Sequence, residues 1–346
     1  MLLEYNNPTI VESYLNNWKR LWHPIAVASM ITADENEKLR PIERQVVGES
    51  LAFTRVGDSF FALNNHCRHR GAKLSQGWFN VEGSTFVCPY HGFEWALNGK
   101  LAKIPAYDVS GFACPNSKKW QTESYQVIER YGILWTCLID EPLLPLPEIP
   151  PLNDPSLVGG VFVETLFHTG GGRVVEGTLD TYHIAFAHRG TIGDPSEPEA
   201  PQAKVEQEQF LYMEFEMDQN QNPSAKGSND SQERVRVLYQ QWASPNVVFL
   251  LKTSPGIRYG LLFLYRVVSP NETVVYRRIF RDANASEPED ESVALENHID
   301  HEDKLIIEEI IPRIIPTDTN FEVHTVFDKP TFSYRQYMKS LGFEYF

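Results

Sequence analysis

Apolar and polar residues alternate through the first third of the chain, and this pattern predicts short β-strands joined by tight turns. Residues 51–65 contain two alternating segments on either side of a turn at 56–58. Residues 125–139 repeat the arrangement around a turn at 130–132. Each stretch therefore predicts a β-hairpin, and the first third is expected to be rich in sheet.

A proline-rich segment follows at residues 141–155, where six of the fifteen residues are proline. Proline fixes φ and cannot donate to a strand ladder, so the segment is predicted to be a stiff linker. We place a domain boundary there. The prediction is one domain at 1–145 and a second at 146–346.

The second part of the chain mixes strands with helices, and its fold class is predicted to be α+β with an antiparallel sheet. One helix is predicted at 173–188, and Gly170–Gly172 before it are predicted to be a flexible hinge. A later helix is predicted at 288–312, with acidic residues in its first turn and a proline beyond its end. The polar residues 218–233 predict a mobile loop. The predicted strands are 158–168, 209–217, 234–242, 246–254 and a hairpin over 260–280.

Composition narrows the class of protein. The 346 residues include 42% hydrophobic and 22% charged residues, which is typical of a globular chain. The net charge of −15 argues against a nucleic-acid binder, which would normally carry a basic face. No apolar run is long enough for a transmembrane helix, and the first residues lack the pattern of a signal peptide, so a cytoplasmic location is expected. Four cysteines make no disulfide framework and are better explained as thiols or metal ligands.

Two loops each combine a cysteine with a histidine. Cys67 and His69 lie in the first loop, and Cys88 and His91 lie in the second. Structural zinc accepts such a Cys2His2 set. A Rieske-type 2Fe–2S centre accepts it as well, with two cysteines on one iron and two histidines on the other. Zinc fingers usually pair Cys with Cys along the chain, so one residue of each kind in both loops favours the cluster.

A second group of candidate ligands lies in the predicted helix at 173–188. The pattern is Glu176-x3-Asp180-x2-His183-x4-His188. Two imidazoles and one carboxylate on one iron leave positions open for dioxygen and substrate. His183 and His188 are five residues apart, about 140° on a straight helix, and would not share a face. If both bind one metal, we expect a π-bulge or an unwound last turn near His188.

A third ligand would have to come from another part of the chain. Acidic residues occur throughout the predicted helix at 288–312, where most charged positions are expected to face solvent. The candidates there are Asp300, Glu302, Asp303, Glu308 and Glu309. The pattern by itself does not choose among them. Cys114 and Cys137 have no metal-spaced partner and are interpreted as a loop thiol and a core residue.

Residues 66–77 (HCRHRGAKLSQG) and 86–100 (FVCPYHGFEWALNGK) resemble the cluster-binding domain of Rieske non-haem iron oxygenase alpha subunits. Arg68 stands where that family usually has proline, but the position is not a ligand. The pattern from Glu176 to His188 resembles the iron-binding motif of the same family. The resemblance extends from Trp22 to the C-terminal run TFSYRQYMKSLGFEYF.

The resemblance implies roles for individual residues. The Cys/His loops would hold a 2Fe–2S cluster, and His183 and His188 would bind a mononuclear Fe(II). The sequence HEDKLIIEE resembles the region of the third ligand and favours Asp303, with Asp300 and Glu302 as alternatives. Asp180 would connect the iron to the cluster, and Glu176 would be a non-ligating position.

The resemblance also implies an architecture and a reaction. A Rieske domain would precede a helix-grip (START-like) catalytic domain, and a head-to-tail homotrimer would bring one subunit's Asp180 beside His69 or His91 of the next. Electrons would come from a separate reductase or ferredoxin. The iron would use O2 to hydroxylate or oxidatively demethylate a small organic, cyclic substrate, as a mono- or dioxygenase.

Three subgroups share features with this chain: pheophorbide a oxygenase and its relatives, soluble cyanobacterial hydroxylases of the saxitoxin-pathway type, and dicamba-type O-demethylases. Two other classes remain open. One is a Rieske electron-transfer protein, which would not need the second ligand group. The other is a zinc-stabilised ligand-binding protein, which would carry no labile sulfide.

Overall fold

The computed structural model of the protein describes residues 7–31, 40–189, 191–198, 200–220, 234–282 and 289–346. These residues form two compact units. Lys19–Pro145 make up one of them. The described residues up to Trp18, which include helix α1 (Pro8–Trp18), belong with Leu146–Phe346 in the other.

The Lys19–Pro145 unit is built from three small antiparallel sheets with the strand orders β1-β11-β10, β2-β3-β4-β9 and β5-β6-β7-β8. Both predicted hairpins are confirmed, as β3–β4 and β10–β11. Its elements are β1 (His23–Val27), β2 (Ile42–Val46), β3 (Glu49–Val56), β4 (Ser59–Asn64), β5 (Trp78–Asn80), β6 (Thr85–Val87), β7 (Glu94–Ala96), β8 (Leu101–Lys103), α2 (Pro105–Ser110), β9 (Ser124–Tyr125), β10 (Val127–Arg130) and β11 (Ile133–Thr136).

The second unit is a seven-stranded antiparallel sheet with helices packed against it, in the order β12-β18-β17-β16-β15-β14-β13. The predicted α+β class is confirmed. The elements are β12 (Leu157–Phe167), α3 (Gly171–Leu179), α4 (Ile184–Ala187), β13 (Lys204–Gln207), β14 (Leu211–Asn220), β15 (Arg234–Ser244), β16 (Val247–Ser254), β17 (Ile257–Ser269), β18 (Glu272–Asp282), α5 (Glu289–Ile307) and α6 (Lys329–Ser340).

The core of this unit lies between the sheet and its helices. Side chains alternate across each strand, so one face of β14–β18 supplies buried apolar residues while α3 and α5 cover that face. Helix α3 also contacts α6. Among the described residues, no helix has both the length and the apolar character needed to cross a lipid bilayer.

Gly170–Gly172 do not form the expected hinge before α3. Helix α3 begins at Gly171, and both Gly171 and Gly172 are buried. A Cβ on Gly171 would lie 2.5 Å from Cγ2 of Val267, and a Cβ on Gly172 would lie 2.5 Å from Cδ2 of Phe346. Glycine is required here because the helix backbone approaches its neighbours too closely for any side chain.

Three further expectations differ from the structure. The helix expected at 288–312 ends at Ile307. Strand β14 extends to Asn220 and so takes the first residues of the expected loop at 218–233, of which 221–233 lie outside the described residues. Helix α1, which the sequence assigns to the first domain, packs with the second unit. The hydroxyl of Tyr14 accepts the Gly171 N–H at 3.0 Å, and Trp18 contacts Phe343 edge-on.

We expect Gly172→Ala to lower the free energy of unfolding by about 1–3 kcal/mol, because the new methyl group would overlap the Phe346 ring. Urea denaturation followed by tryptophan fluorescence measures the effect. Gln336→Ala, at an exposed position of α6, is the control and should change stability by no more than about 0.5 kcal/mol. An unchanged midpoint for Gly172→Ala would contradict the packing argument.

Candidate metal centres

The two Cys/His loops have the same backbone turn. The Cys67 carbonyl accepts the Gly71 N–H at 2.8 Å, and the Cys88 carbonyl accepts the Gly92 N–H at 3.0 Å. Both glycines have left-handed backbone, with φ of 75° and 70°, which favours glycine over residues with a side chain. The sequence therefore builds two equivalent turns.

The four side chains of these loops form a group with two different ends. The thiols of Cys67 and Cys88 are buried, whereas the imidazoles of His69 and His91 are exposed, with ring centroids 4.7 Å apart. The Cys67 thiol and backbone N–H groups hydrogen-bond to Cys88 and lower the pKa of its thiol. Two inner sulfurs and two outer imidazoles match the division of ligands in a Rieske cluster.

His183, His188 and Asp303 converge in the second unit. The two Nε2 atoms of the histidines are 3.2 Å apart. Oδ1 of Asp303 lies 3.5 Å from Nε2 of His183 and 3.3 Å from Nε2 of His188. The structure thus brings together the three residues that the sequence singled out as iron ligands.

A break in the predicted helix at 173–188 allows the two histidines to converge. Helix α3 ends at Leu179, Asp180 has extended backbone, and α4 does not begin until Ile184. The expected distortion is present, but it lies before His183 and not in a last turn at His188. Helix α4 then ends directly before His188.

Burial and neighbouring charges set the electrostatics of this group. Burial raises the pKa of Asp303 to about 7, although the His183 charge opposes the shift. Burial and the charge of His183 lower the pKa of His188 to about 4. Near neutral pH the Asp303 carboxyl is therefore partly protonated, and the His188 imidazole is uncharged. A divalent cation bound to these atoms would offset the free-energy cost of ionising Asp303.

The other acidic candidates have different partners. Oδ2 of Asp300 accepts from Nε of the buried Arg277 at 2.9 Å. Oε2 of Glu302 lies 3.0 Å from Nδ1 of His188 and accepts the Thr191 hydroxyl at 2.9 Å. Glu302 therefore orients the imidazole whose other nitrogen faces Asp303. The sequence contained no signal for this role, because the contact joins α5 to a residue more than a hundred positions earlier.

Asp180 lies beside the other histidine. Its Oδ1 is 3.9 Å from Nδ1 of His183 and accepts the Tyr182 N–H at 2.7 Å. Burial would raise the pKa of Asp180, but the nearby His183 imidazole outweighs burial and holds that pKa below its usual value. Asp180 therefore keeps a negative charge next to His183.

Glu176 lies away from the three converging atoms, as expected for a non-ligating position. Its Oε2 accepts from Nη2 of Arg335 at 3.0 Å and from Nη1 of Arg173 at 3.3 Å. Both arginines also bind Glu322, each at 2.7 Å. This buried network ties α3 to α6 and fixes the position of α3, the helix directly before Asp180.

A cavity of about 90 Å³ adjoins the three converging residues. Its walls come from α3, α5 and the facing strands of the sheet, and they are mostly apolar and aromatic. Gln241 and Lys252 are polar side chains in the wall that the sheet supplies. The sequence did not identify either residue, because only the strand pairing shows which face they share.

Comparison with known families assigns both units. Residues 22–121 match the Rieske [2Fe-2S] domain, and residues 167–343 match the vanillate O-demethylase oxygenase C-terminal domain. The second match alone covers more than half of the chain. The chain belongs to the Rieske non-haem iron oxygenases. It is an oxidoreductase that uses a 2Fe–2S cluster and a mononuclear iron, and neither a zinc-stabilised binding protein nor an electron-transfer protein accounts for both matches.

Individual relatives of this Rieske oxygenase support the same class. Methylxanthine N1-demethylase NdmA of Pseudomonas putida is 27% identical over 333 residues, which cover 93% of this chain and 89% of the relative. A vanillate O-demethylase oxygenase subunit of Pseudomonas sp. (strain HR199 / DSM 7063) is 30% identical over 165 residues, 47% of this chain and 44% of the relative. By name, these two relatives are demethylases of cyclic compounds, a methylxanthine and vanillate.

Solved structures show the same fold. The structure of Pseudomonas putida CBB5 NdmA with caffeine has a TM-score of 0.78 at 24% identity and covers 94% of this chain and 92% of the other. The structure of dicamba monooxygenase bound to 3,6-dichlorosalicylic acid has a TM-score of 0.74 at 18% identity and covers 93% of this chain and 97% of the other. At these identities the likeness establishes the two-unit fold of this oxygenase.

We expect Glu302→Gln to weaken metal binding by about 10–100-fold, because the amide is a poorer acceptor for the His188 Nδ1–H. Fe(II) titration of the metal-depleted protein under anaerobic conditions measures the affinity. Glu309→Gln, an exposed position two residues beyond α5, is the control. Equal affinities for both variants would show that Glu302 does not support the metal-binding imidazole.

Proposed function

We propose that His183, His188 and Asp303 hold the mononuclear iron of this oxygenase. Their three donor atoms are separated by 3.2–3.5 Å, so each can lie about 2.0–2.2 Å from one ion. Two imidazole nitrogens and one carboxylate oxygen are the donor set that suits non-haem Fe(II). This convergence is the observation that carries the proposal.

We propose in the same way that Cys67, Cys88, His69 and His91 hold the 2Fe–2S cluster. The buried thiols would bind the inner iron, and the exposed imidazoles would bind the outer one. Backbone N–H groups of His69, and of Tyr90 and His91, hydrogen-bond to the sulfurs of Cys67 and Cys88, where such bonds tune the reduction potential.

The catalytic unit would prepare substrate and dioxygen for reaction at one end of the cavity. A bound mononuclear iron supplies the activation of O2. Glu302 orients His188, and the charge of Asp180 stabilises His183 from its other nitrogen. The apolar wall excludes water and holds the substrate ring beside the ligand group. The proposed outcome is hydroxylation or oxidative demethylation of a small cyclic compound.

We propose a head-to-tail homotrimer as the working form. Residues 19–145 contain 14 Lys and Arg and 13 Asp and Glu, so their charges nearly balance. The rest of the chain contains 17 Lys and Arg and 33 Asp and Glu, so it is strongly acidic. A contact between unlike units of two copies would therefore reduce repulsion. Exposed aromatic side chains offer apolar area for such a contact: Tyr90 next to His91 in one unit, and Tyr182, two residues after Asp180, and Phe186 in the other.

In this assembly Asp180 of one copy would face His69 or His91 of the next. One carboxylate accepting N–H groups from two metal-bound imidazoles would join the two centres through a few bonds. We also propose a cytoplasmic location. The free thiols of Cys114 and Cys137 are compatible with a reducing compartment.

We expect the anaerobically purified protein to contain about three irons and two acid-labile sulfides per chain, with a Rieske EPR signal after dithionite reduction. His183→Ala should lose about one iron and keep the sulfide and the EPR signal, since His183 belongs only to the second ligand group. His324→Ala, a histidine outside both groups, is the matched control. Zinc without sulfide in the parent protein, or loss of sulfide in His183→Ala, would overturn the ligand assignment.

We expect Asp180→Asn to keep the iron and sulfide contents and the oligomeric state. Oxidation of the reduced cluster on mixing with substrate and O2 should slow by about tenfold or more, because the amide cannot accept two charge-assisted hydrogen bonds. Stopped-flow absorbance of the cluster measures the rate, and sedimentation measures the assembly. Asp290→Asn, an exposed acid in the first turn of α5, is the control. An unchanged rate would remove Asp180 from the electron path.

A further inference from the structure

Aromatic side chains form much of the lining of the cavity beside the iron ligands. Five aromatic side chains line it: Phe167, Phe215, Tyr239, Phe263 and Tyr265. The rings of Phe215 and Tyr239 are stacked, with centroids 4.7 Å apart and planes 11° apart. A single water needs about 10–15 Å³, and the cavity of about 90 Å³ holds several times that volume, so a small ring system can enter.

One buried acceptor in the cavity wall has no hydrogen-bond partner among the residues that the structure describes. Gln241 is 3% exposed, and its Nε2 donates to the Thr178 carbonyl at 3.2 Å. A carbonyl can only accept, so this bond fixes which end of the amide is nitrogen. Oε1 is buried without a hydrogen bond among the described residues. The neighbouring hydroxyls cannot supply one, because Tyr265 donates to Thr178 and Thr178 donates to the Val174 carbonyl.

A cation lines the same wall. Lys252 is half-buried, and its Nζ lies 5.6 Å from the centroid of the Tyr239 ring. Within the part of the chain that the structure describes, this ammonium makes no ion pair with a carboxylate. The carboxylates that line the cavity, at Asp180, Glu296, Asp300 and Asp303, belong to α5 and to the segment after α3, not to the sheet. On the sheet side Lys252 therefore attracts an anionic oxygen, and little water competes for it there.

The sheet register fixes the spacing of the two polar groups. Gln241 of β15 pairs with Leu250 of β16, and Lys252 lies two residues further along β16. Side chains two residues apart on a strand share a face, so both residues point into the cavity. Such diagonal neighbours lie about 7–8 Å apart between strands, which is close to the span of a six-membered ring with groups at opposite ends.

We propose that the substrate is a planar cyclic organic acid that donates an O–H or N–H to Oε1 of Gln241 and places an anionic oxygen on Lys252. The inference rests on the proposed function, because the same cavity ends at the His183, His188 and Asp303 group. It goes beyond that function by naming what the ring must carry. Leaving Oε1 unpaired under a substrate without a donor costs binding energy, so the site discriminates against such compounds.

Calorimetric titration of the protein with both metal centres loaded, under anaerobic conditions, tests the substrate class. Four probes form a matched set: 4-hydroxy-3-methoxybenzoate, its methyl ester, 3,4-dimethoxybenzoate and caffeine. The first has both groups, the ester lacks the anion, the dimethoxy acid lacks the donor, and caffeine lacks both. The hydroxy acid should bind about tenfold or more tightly than each of the others. Equal affinities, tighter binding of caffeine, or no binding of any probe would reject the class.

Substitutions at Gln241 and Lys252 test which residue is responsible for each part of the preference for the hydroxy acid. Gln241→Met should abolish the preference for the hydroxy acid over the dimethoxy acid while leaving the preference over the ester. Lys252→Met should do the reverse, and Lys252→Arg should restore part of the preference for the acid. Gln336→Met on α6 and Lys204→Met on β13 are exposed controls that should bind all probes as the parent does. A variant that lowers all affinities equally would assign its residue to packing and contradict the proposed role.

Metal analysis of each sample distinguishes failure of the substrate class from failure of the proposed function. Iron and sulfide are counted on every sample before titration, and the affinities do not depend on turnover. Full metal content with no discrimination between probes would reject the substrate class and leave the iron ligands assigned. Absent iron or sulfide would instead overturn the proposed function, and with it the inference that rests on it.

Discussion

The catalytic unit depends on a constraint of helix geometry: two histidines five residues apart must present nitrogens to the same point. A continuous helix would direct them to different faces. The chain meets the constraint by ending α3 at Leu179 and starting α4 at Ile184, so Asp180 lies in the gap. The break costs backbone hydrogen bonds, and it persists because the helix on its N-terminal side is held firmly.

Several distant features provide that hold. Glu176 joins Arg173 and Arg335 in a buried network, and the glycines at the start of α3 allow its backbone to lie close to β17 and the C-terminal residue. Charges buried in this way are stable only when every partner is present, so the network fixes one position of α3. The ligand group is therefore supported by residues that never approach a metal.

The sequence predicted secondary structure and the types of candidate ligand better than it predicted the contacts between distant segments. The hairpins and the α+β class followed from alternation and spacing, because local patterns record local structure. Spacing also singled out the two Cys/His loops and the pair His183 and His188 as candidate ligands. The choice of Asp303 needed family resemblance, since Asp300 and Glu302 have the same chemistry and differ only in their partners. The break at Asp180, the packing role of Gly171 and the cavity position of Gln241 depend on contacts between segments far apart in the chain, and no local pattern records those.

His183 and His188 flank α4 and Asp303 lies on α5, whereas Gln241 and Lys252 of the cavity wall lie on strands β15 and β16. This division has an evolutionary consequence. Substitutions on β15 and β16 can change which molecule fits without altering α5 or the residues that flank α4, so specificity and reactivity can evolve independently. A fold divided in this way can diversify across many small cyclic compounds while its oxidative machinery stays constant.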